Sequence, residues 1–179
     1  MILRETPLAG AHVVELEQLR ADRGYFARTF DCEQFAAAGL DVRVVQCSTS
    51  FNEHAGTLRG MHYQAAPYEE AKLVRVTRGA VFDVIVDLRA DSATFRQWFG
   101  VELDAPSGRS LYVPVGFAHG FQTLADQTEV LYQIAQQHVP DAARGVRFDD
   151  PAFAIQWPAP PPSGRVISER DRAFADFAG

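Results

Sequence analysis

The sequence lacks the patterns that place a protein in a membrane or in an oxidising compartment. It has no run of about eighteen or more apolar residues, so we expect no membrane-spanning helix and no membrane partner. The N-terminal stretch, MILRETPLAG, lacks the basic start and apolar core of a secretory signal. The two cysteines, Cys32 and Cys47, match no zinc or haem spacing, and free thiols suit a reducing environment. We therefore expect a cytoplasmic protein.

An excess of basic charge is also missing. The chain has 17 Lys+Arg against 23 Asp+Glu, a formal net charge of -6. Binding to nucleic acid needs a basic face that neutralises phosphates, so we expect no nucleic acid partner. Lysine is nearly absent, because Lys72 is the only one and every other Lys or Arg position holds arginine. A small anionic ligand held by a local basic cluster remains compatible with this charge.

The segments that are present predict a strand-rich fold. The 179 residues are 47% hydrophobic and predict a single domain over residues 1–179. One clear helix is predicted over residues 32–38, with Asp31 as N-cap and Gly39 as its stop, and Ser168 is predicted to cap a second. Many short strands with few helices predict an all-β sandwich or barrel. The predicted strands are 42–50, 57–64, 72–77, 80–88, 98–103, 110–114, 120–124 and 128–135.

The first segment with chemical potential is residues 56–64, GTLRGMHYQ. Alternation along a strand predicts that His62 shares a face with Leu58 and Gly60. If that face lines a barrel, the imidazole points into the cavity. From this segment alone, a packed core histidine is an equal alternative.

The second segment is residues 112–121, YVPVGFAHGF, which resembles the second motif of the cupin superfamily. The first cupin motif normally carries two histidines and then a glutamate, which bind a metal together with the later histidine. Here Gln64 stands for the second histidine, although Glu69 or Glu70 could supply the carboxylate. Because an amide is a poor metal ligand, we expect no metal. His119 is then either a turn histidine bonded to the backbone or a ligand contact.

Three other side chains are ambiguous when each is considered alone. Alternation puts Lys72 on the face of Val74 and Val76, so its ammonium lies either at a watery rim or inside, facing a negative charge. Tyr132 is a packed aromatic residue whose hydroxyl is hydrogen-bonded. Asp171 is a solvated or helix-capping carboxylate.

Together, these segments are similar to the dTDP-4-dehydrorhamnose 3,5-epimerase family, in order and over nearly the whole chain. The resemblance implies a cupin jelly-roll barrel of antiparallel strands with a few short helices. It also implies a homodimer that acts without a cofactor on a nucleotide-linked 4-keto-6-deoxy sugar. The matching segments are DRGYF at 22–26, GTLRGMHYQ at 56–64, KLVRV at 72–76, FDVIVDLR at 82–89, SATF at 92–95, VPVGFAHGF at 113–121, DP at 150–151, IQWP at 155–158 and SERD at 168–171.

The resemblance gives four residues a chemical role. The family uses a histidine–aspartate pair as base, and His62 and Asp171 match those positions. A neutral imidazole held by a carboxylate can take a proton from the carbon beside a ketone. Lys72 matches the residue that stabilises the enolate at the C4 oxygen. Tyr132 matches the acid that returns a proton from the opposite face.

The resemblance also implies substrate contacts. His119 and Arg59 match contacts to the sugar and the diphosphate. Arg23 would bind phosphate, in many members from the neighbouring subunit, and Phe26 lies in the same matching segment. Arginine forks suit a diphosphate better than ammonium groups do.

The departures from the family cluster at the nucleotide end. Arg28 and Ala143 stand where the family usually has glutamates, and His138 stands for a tyrosine that stacks on thymine. Counting back from Arg59, Cys47 stands for a glutamine and Thr49 for an asparagine. Arg28, Thr49 and His138 remain candidates for holding a nucleotide, with a base other than thymine as an alternative.

Four functions stay open on the sequence. The first is a 3,5-epimerase that makes the precursor of L-rhamnose. The second is a 3-only or 5-only epimerase of an unusual deoxysugar pathway, with thymidine or another nucleotide. The third is a non-catalytic sugar-binding cupin, which predicts loss of the base, the acid or the lysine. The fourth is a metal-dependent cupin.

Overall fold

The computed structural model describes residues 1–178, so Gly179, the last residue of the predicted 1–179 domain, lies outside the described residues. Strands dominate this part of the chain, which confirms the all-β class. No helix in it is long and apolar enough to cross a membrane. The elements are β1 (Ile2–Glu5), β2 (His12–Glu15), β3 (Leu19–Ala21), β4 (Gly24–Phe26), α1 (Cys32–Ala37), β5 (Gln46–Asn52), β6 (Leu58–Gln64), β7 (Lys72–Arg78), β8 (Ala80–Asp87), β9 (Trp98–Asp104), β10 (Ser110–Val113), β11 (Phe117–Thr123), β12 (Thr128–Ile134), a short 3₁₀ helix (Pro140–Ala142), β13 (Ala143–Gly145) and α2 (Glu169–Arg172).

Two antiparallel sheets form the predicted jelly-roll barrel. One sheet has the strand order β1-β2-β10-β7-β12-β5, and the other has the order β13-β6-β11-β8-β9. The core lies between them, where Val74 and Val76 of β7 meet Ile85 of β8 and Phe121 of β11. Burial of these apolar faces is the main stabilising term of such a sandwich. Strands β3 and β4 form a separate two-stranded hairpin.

All eight predicted strand segments contain a strand, β5 to β12, although some ends differ. Strand β5 begins at Gln46 rather than at residue 42, and β11 begins at Phe117 rather than at residue 120. Strands β1 to β4 and β13 were not predicted. All are three or four residues long, and β1, β3 and β4 are mostly exposed, so they carry little apolar periodicity. Strand β2 pairs with β10 and β1 pairs with β2, so both belong to the sheet through a strand distant in sequence, which a local sequence pattern cannot reveal.

Both predicted helix caps are present. The Asp31 carboxylate accepts hydrogen bonds from the backbone N–H groups of Glu33 and Gln34, and α1 ends at Ala37, just before Gly39. Phe35 of α1 is fully buried against the outer face of the six-stranded sheet. Ser168 caps α2 by accepting a hydrogen bond from the backbone N–H of Asp171.

A buried carboxylate, Asp87, ties the end of β8 to the loop that follows it. Its oxygens accept hydrogen bonds from the Arg89 guanidinium at 2.9 and 2.7 Å and from the hydroxyls of Ser92 and Thr94 at 2.6 and 2.7 Å. Burial raises the pKa of Asp87, but these hydrogen bonds outweigh it and lower the pKa to about 2. Arg89 in turn lies 4.6 Å from the ring centroid of Phe117.

We expect Asp87→Asn to destabilise the fold by about 3 kcal/mol, because it leaves a partly buried guanidinium without its charge partner. That loss corresponds to a fall in Tm of roughly 6–12 °C. The pKa of Asp87 is lower in the folded than in the unfolded chain, so the carboxylate stabilises fully above about pH 4 and loses its effect as pH falls toward 2. Calorimetry of the wild type and of Asp87→Asn from pH 7 to pH 3 should show the difference between their Tm values becoming smaller as the pH falls. Asp91 is an exposed carboxylate in the same loop, so Asp91→Asn is the control and should change Tm little.

Candidate active site

An irregularity in β6 decides which side chains enter the barrel. His62 pairs with His119, and Arg59 pairs with Phe121, so three steps along β6 match two steps along β11. Arg59 and His62 therefore lie on the same face, toward the cavity. The prediction that His62 shares a face with Leu58 and Gly60 is wrong, because alternation is interrupted between them.

Gly60 makes this irregularity possible. Its φ is +123°, a conformation that side chains disfavour. A Cβ atom at this position would lie 2.6 Å from the Cα atom of Gly120 and 2.9 Å from the carbonyl oxygen of His119. The glycine in the middle of GTLRGMHYQ is therefore required by the close approach of β11.

Three adjoining cavities meet at His62. The first, of about 290 Å³, lies between the two sheets and is lined by Ser48, Ser50, Arg59, His62, Lys72, His119, Gly120, Phe121, Tyr132 and Ile134. The second, of about 440 Å³, shares Arg59 and His62 and extends to α2 with Arg170 and Asp171. The third, of about 220 Å³, shares His62 and Lys72 and is also lined by Tyr63, Gln64, Glu70, His138, Ala143, Arg144 and Arg170.

The His62 imidazole is held by Asp171. Nε2 of His62 lies 2.8 Å from Oδ1 of Asp171, whose other oxygen accepts the backbone N–H of Gly60 at 3.1 Å. The aspartate side chain is 5% exposed and the histidine side chain 40% exposed. Asp171 therefore holds the imidazole from the protein interior, and the other edge of the imidazole is accessible to a ligand. Burial raises the pKa of Asp171, but the hydrogen bonds from His62 and Gly60 prevail and lower it. An ionised Asp171 fixes the proton on Nε2 and leaves Nδ1 as the basic nitrogen.

A second histidine–aspartate pair borders the central cavity. Nε2 of His119 lies 2.8 Å from Oδ1 of Asp83, and the two side chains are 5% and 0% exposed. His119 is thus a strand residue bonded to a carboxylate, not a turn histidine bonded to the backbone. Oδ2 of Asp83 is buried without a hydrogen-bond partner among the described residues. Sequence analysis missed Asp83, although a carboxylate inside the apolar strand VFDVIVD was a usable signal.

Lys72 lies inside, facing a negative charge, rather than at a watery rim. Its Nζ atom is 2.7 Å from Oε1 of Glu70, and both side chains are 11% exposed. The alternation prediction is confirmed, because Val74 and Val76 of the same face lie in the core. Glu70 was considered only as a metal ligand and not as the partner of Lys72.

Tyr132 projects from β12 into the same cavity. Its hydroxyl lies 3.3 Å from Oγ of Ser50, and its ring is 6.2 Å from that of His119. Burial raises the pKa of Tyr132 well above its ordinary value. The phenol is therefore protonated at neutral pH and able to donate.

Arg59 lies where the first and second cavities join. Its Nε atom donates to Oδ1 of Asn52 at 2.7 Å, and Nη2 donates to the carbonyl oxygen of Phe51 at 3.4 Å. Asn52 is 2% exposed and was not predicted. These bonds fix the guanidinium plane beside the base and leave further N–H groups for an anion.

Three predicted binding residues lie away from these cavities. Arg23 and Phe26 belong to the β3–β4 hairpin, and neither lines a cavity around His62 among the described residues. Phe26 is 68% exposed. Arg28 forms an ion pair with Asp31 at the start of α1, with Nη1 2.6 Å from Oδ2.

Thr49 faces away from the cavity, and its two neighbours on β5 face into it. Ser48 pairs with Tyr132 in register, and Ser50 contacts its hydroxyl, so both serines share the tyrosine's face. Thr49 pairs with Leu131 on the opposite face. Thr49 was predicted by its distance in sequence from Arg59. Such a count does not show which face of the strand a side chain occupies. The serines are the cavity residues that this count missed.

His138 and Ala143 line the third cavity, as part of a segment tied down by Gln64. The Gln64 amide donates to the carbonyl oxygens of Tyr68 and Gln137 at 2.9 and 3.1 Å and accepts the backbone N–H of Val139 at 2.6 Å. The residue that replaces a cupin metal ligand thus uses its polar atoms to position the chain around His138. The backbone N–H of His138 itself donates to Oε1 of Gln46 at 2.7 Å.

Comparisons with known proteins agree on one family. A family model described as dTDP-4-dehydrorhamnose 3,5-epimerase matches residues 5–179. The enzyme of that name from Methanothermobacter thermautotrophicus is 42% identical over 168 residues, 94% of this chain and 90% of its own length. The crystal structure of the epimerase from Elizabethkingia anophelis superposes with a TM-score of 0.95 at 35% identity, covering 99% of this chain and 96% of that one. The structure of ChmJ, a 3'-monoepimerase from Streptomyces bikiniensis in complex with dTDP-quinovose, superposes with a TM-score of 0.87 at 31% identity. The match covers 97% of this chain and 86% of that one.

Proposed function

The chain belongs to the dTDP-4-dehydrorhamnose 3,5-epimerase family, and we propose that it inverts both C3 and C5 of a dTDP-linked 4-keto-6-deoxyhexose. It is an epimerase, an isomerase of dTDP-sugar metabolism. The observation that carries the finer proposal is that His62, which Asp171 anchors, borders one cavity together with Lys72 and Tyr132.

His62 is the base in this proposal. The hydrogens on C3 and C5 are acidic because the C4 ketone can accept the electron pair left behind. Nδ1 of His62 takes the proton, while Nε2 stays bonded to Asp171, whose charge stabilises the imidazolium. The exposed outer edge of the ring admits the sugar.

Lys72 stabilises the enolate. When the proton leaves, negative charge develops on the C4 oxygen, and the ammonium of Lys72, whose side chain is only 11% exposed, lowers the energy of that charge. Lys72 borders both the central cavity and the third cavity, so it can reach a sugar placed against His62.

Tyr132 is the acid that completes inversion. The enolate carbon is planar, so a proton added on the side opposite His62 gives the inverted centre. The raised pKa of Tyr132 keeps its proton in place until the enolate, a strong base, takes it. Ser50 holds the hydroxyl in position.

In this proposal, arginines and residues of a second subunit bind the nucleotide end of the substrate. Arg59 meets the diphosphate beside His62, and His138 lines the cavity next to it. Arg23, Phe26 and Arg28 reach the site only if the β3–β4 hairpin of one subunit enters the site of another. We therefore propose a homodimer, which the 68% and 70% exposure of Phe26 and Leu19 supports. Sedimentation analysis measures the oligomeric state.

We also propose a cytoplasmic location. Both cysteines are free and exposed, a state that a reducing compartment maintains.

A 3-only or 5-only epimerase is the second candidate function. The superposition on ChmJ favours it as an alternative, since a monoepimerase shares this fold at a TM-score of 0.87. Incubation with dTDP-4-keto-6-deoxyglucose in D₂O separates the two by NMR of the product. Deuterium at both C3 and C5 with inversion of both supports the 3,5-epimerase, and label at one carbon alone overturns it. The corresponding UDP and GDP sugars test whether His138 and Ala143 admit another base.

We expect Tyr132→Phe to separate exchange from inversion. The base and the ammonium remain, so deuterium should still enter from solvent on the His62 side. Inversion should slow by roughly 10²-fold or more, because the proton on the opposite face is missing. NMR of the sugar in D₂O measures both rates in one sample. If Tyr132→Phe inverted the sugar at a rate near that of the wild type, a group other than Tyr132 would be the acid.

A further inference from the structure

The only lysine of the chain lies between two cavities, and a carboxylate holds it from one side. Lys72 borders the central cavity, which contains His62 and Tyr132, and also the third cavity. Glu70 borders the third cavity and not the central one. The 2.7 Å ion pair thus joins Lys72, which borders both cavities, to a carboxylate that borders only the third.

The backbone of Lys72 is fixed, and its ammonium alone has freedom. Strand β7 pairs with Val113 and Ile134 at this position. The side chain has four rotatable carbons, so backbone position does not determine where the charge lies. Glu70 is the one salt-bridge partner of Lys72 among residues 1–178. The ion pair engages the ammonium through one carboxylate oxygen, and an ammonium carries three N–H groups, so donors remain for another acceptor.

The geometry points to Glu70 as a positioning residue for the epimerisation reaction. It anchors the Lys72 ammonium at the wall shared by the two cavities, with the remaining N–H groups directed at the C4 oxygen of the sugar. This role rests on the proposed function, in which Lys72 stabilises the enolate. Electrostatic stabilisation depends on donors that are already oriented before charge develops, and an unanchored lysine would lose that advantage.

A purely structural role for Glu70 makes a different prediction. If the carboxylate only compensated a buried charge, its loss would lower stability without a specific effect on the chemical step. An anchor that matters in the transition state lowers kcat and leaves KM nearly unchanged. The neighbouring carboxylate, Glu69, is exposed and offers a matched control for charge.

The single lysine allows the anchor to be observed directly. Protein grown with lysine labelled with ¹⁵N at Nζ gives one ammonium signal, that of Lys72. Ammonium protons are visible by NMR only when a bound partner and shielding from water slow their exchange. We expect a signal from the wild type and from Glu69→Gln, and its loss in Glu70→Gln, which removes the ion pair. We also expect kcat of Glu70→Gln to fall roughly tenfold with KM within about twofold, because an unanchored ammonium stabilises the enolate less. Glu70→Asp should recover part of kcat, because it keeps the carboxylate.

The two readouts separate failure of the anchor from failure of the function. An ammonium signal that survives Glu70→Gln, or a kcat within about twofold of wild type, overturns the positioning role. A lower Tm with both readouts unchanged overturns it as well. If the wild type epimerises none of the sugars, the proposed function fails, while the loss or survival of the Lys72 signal still decides whether Glu70 anchors the ammonium.

Discussion

Replacing His62 with alanine should remove turnover, with a fall in kcat of about 10⁴-fold. Exchange of deuterium into both C3 and C5 should stop together with inversion, because the first proton is no longer taken. Among the described residues that line the central cavity, the other imidazole is that of His119, which is buried and bonded to Asp83. The fold should persist, because the His62 side chain is 40% exposed and its hydrogen bond is to Asp171 alone.

The measurement for His62→Ala is NMR of the substrate in D₂O, with near-ultraviolet circular dichroism to check the fold. His54→Ala is a suitable control, because it removes an imidazole whose side chain is 67% exposed and lies outside the three cavities. A folded His62→Ala protein that still exchanges both hydrogens near the wild-type rate would exclude His62 as the base.

The fold could be predicted from the sequence where local pattern and tertiary structure agree. Strand β7 alternates and β8 is mostly apolar, and Asp31 and Ser168 are strong capping residues, so these elements could be predicted. Strands β1 and β3 are short and exposed, and each pairs with the next strand along the chain. Pattern analysis fails for such strands because their stability comes from pairing rather than from burial of their own side chains.

The sequence predicts which residue types form the candidate site better than it predicts how those residues are arranged. His62, Lys72, His119 and Tyr132 border one cavity, as a shared role requires. Periodicity could not show that Gly60 introduces an extra residue into β6 and brings Arg59 to the face of His62, because a bulge depends on the neighbouring strand. The pairing of Asp83 with His119 and of Glu70 with Lys72 could not be predicted for a related reason. A positioning partner is defined by proximity in space, and sequence gives no distance.

Neutralising Asp171 should be nearly as damaging as removing His62, although it changes only one atom. The hydrogen bonds of Asp171 outweigh its burial and lower its pKa, so the residue is ionised at neutral pH and Asp171→Asn removes a charge. Both carboxylate oxygens are accepting, one from Nε2 of His62 and one from the backbone N–H of Gly60. Asparagine has a single acceptor oxygen and must place its amino group against one of these donors.

Either orientation of the asparagine impairs the base. If its oxygen faces Gly60, its amino group donates to Nε2, and the imidazole proton moves to Nδ1, where the substrate needs a lone pair. If its oxygen faces His62, two donors meet at Gly60 at a distance of about 3.1 Å, which costs about 1–3 kcal/mol. We expect kcat to fall roughly 10³–10⁴-fold, since the wrong tautomer and the lost charge both oppose proton abstraction.

The tautomer itself can be measured in Asp171→Asn. The ¹⁵N shifts of the His62 ring distinguish a proton on Nε2 from one on Nδ1, and they should report Nε2 in the wild type and Nδ1 in the variant. Asp176→Asn, an equal change of charge on a side chain that is 59% exposed in the same C-terminal segment, should leave both the shifts and kcat unchanged. A variant with the wild-type tautomer and a kcat within about tenfold of normal would show that Asp171 serves the fold alone. Loss of kcat together with the switched tautomer would instead tie the buried carboxylate to the protonation state of the base, which is the step on which epimerisation at either carbon depends.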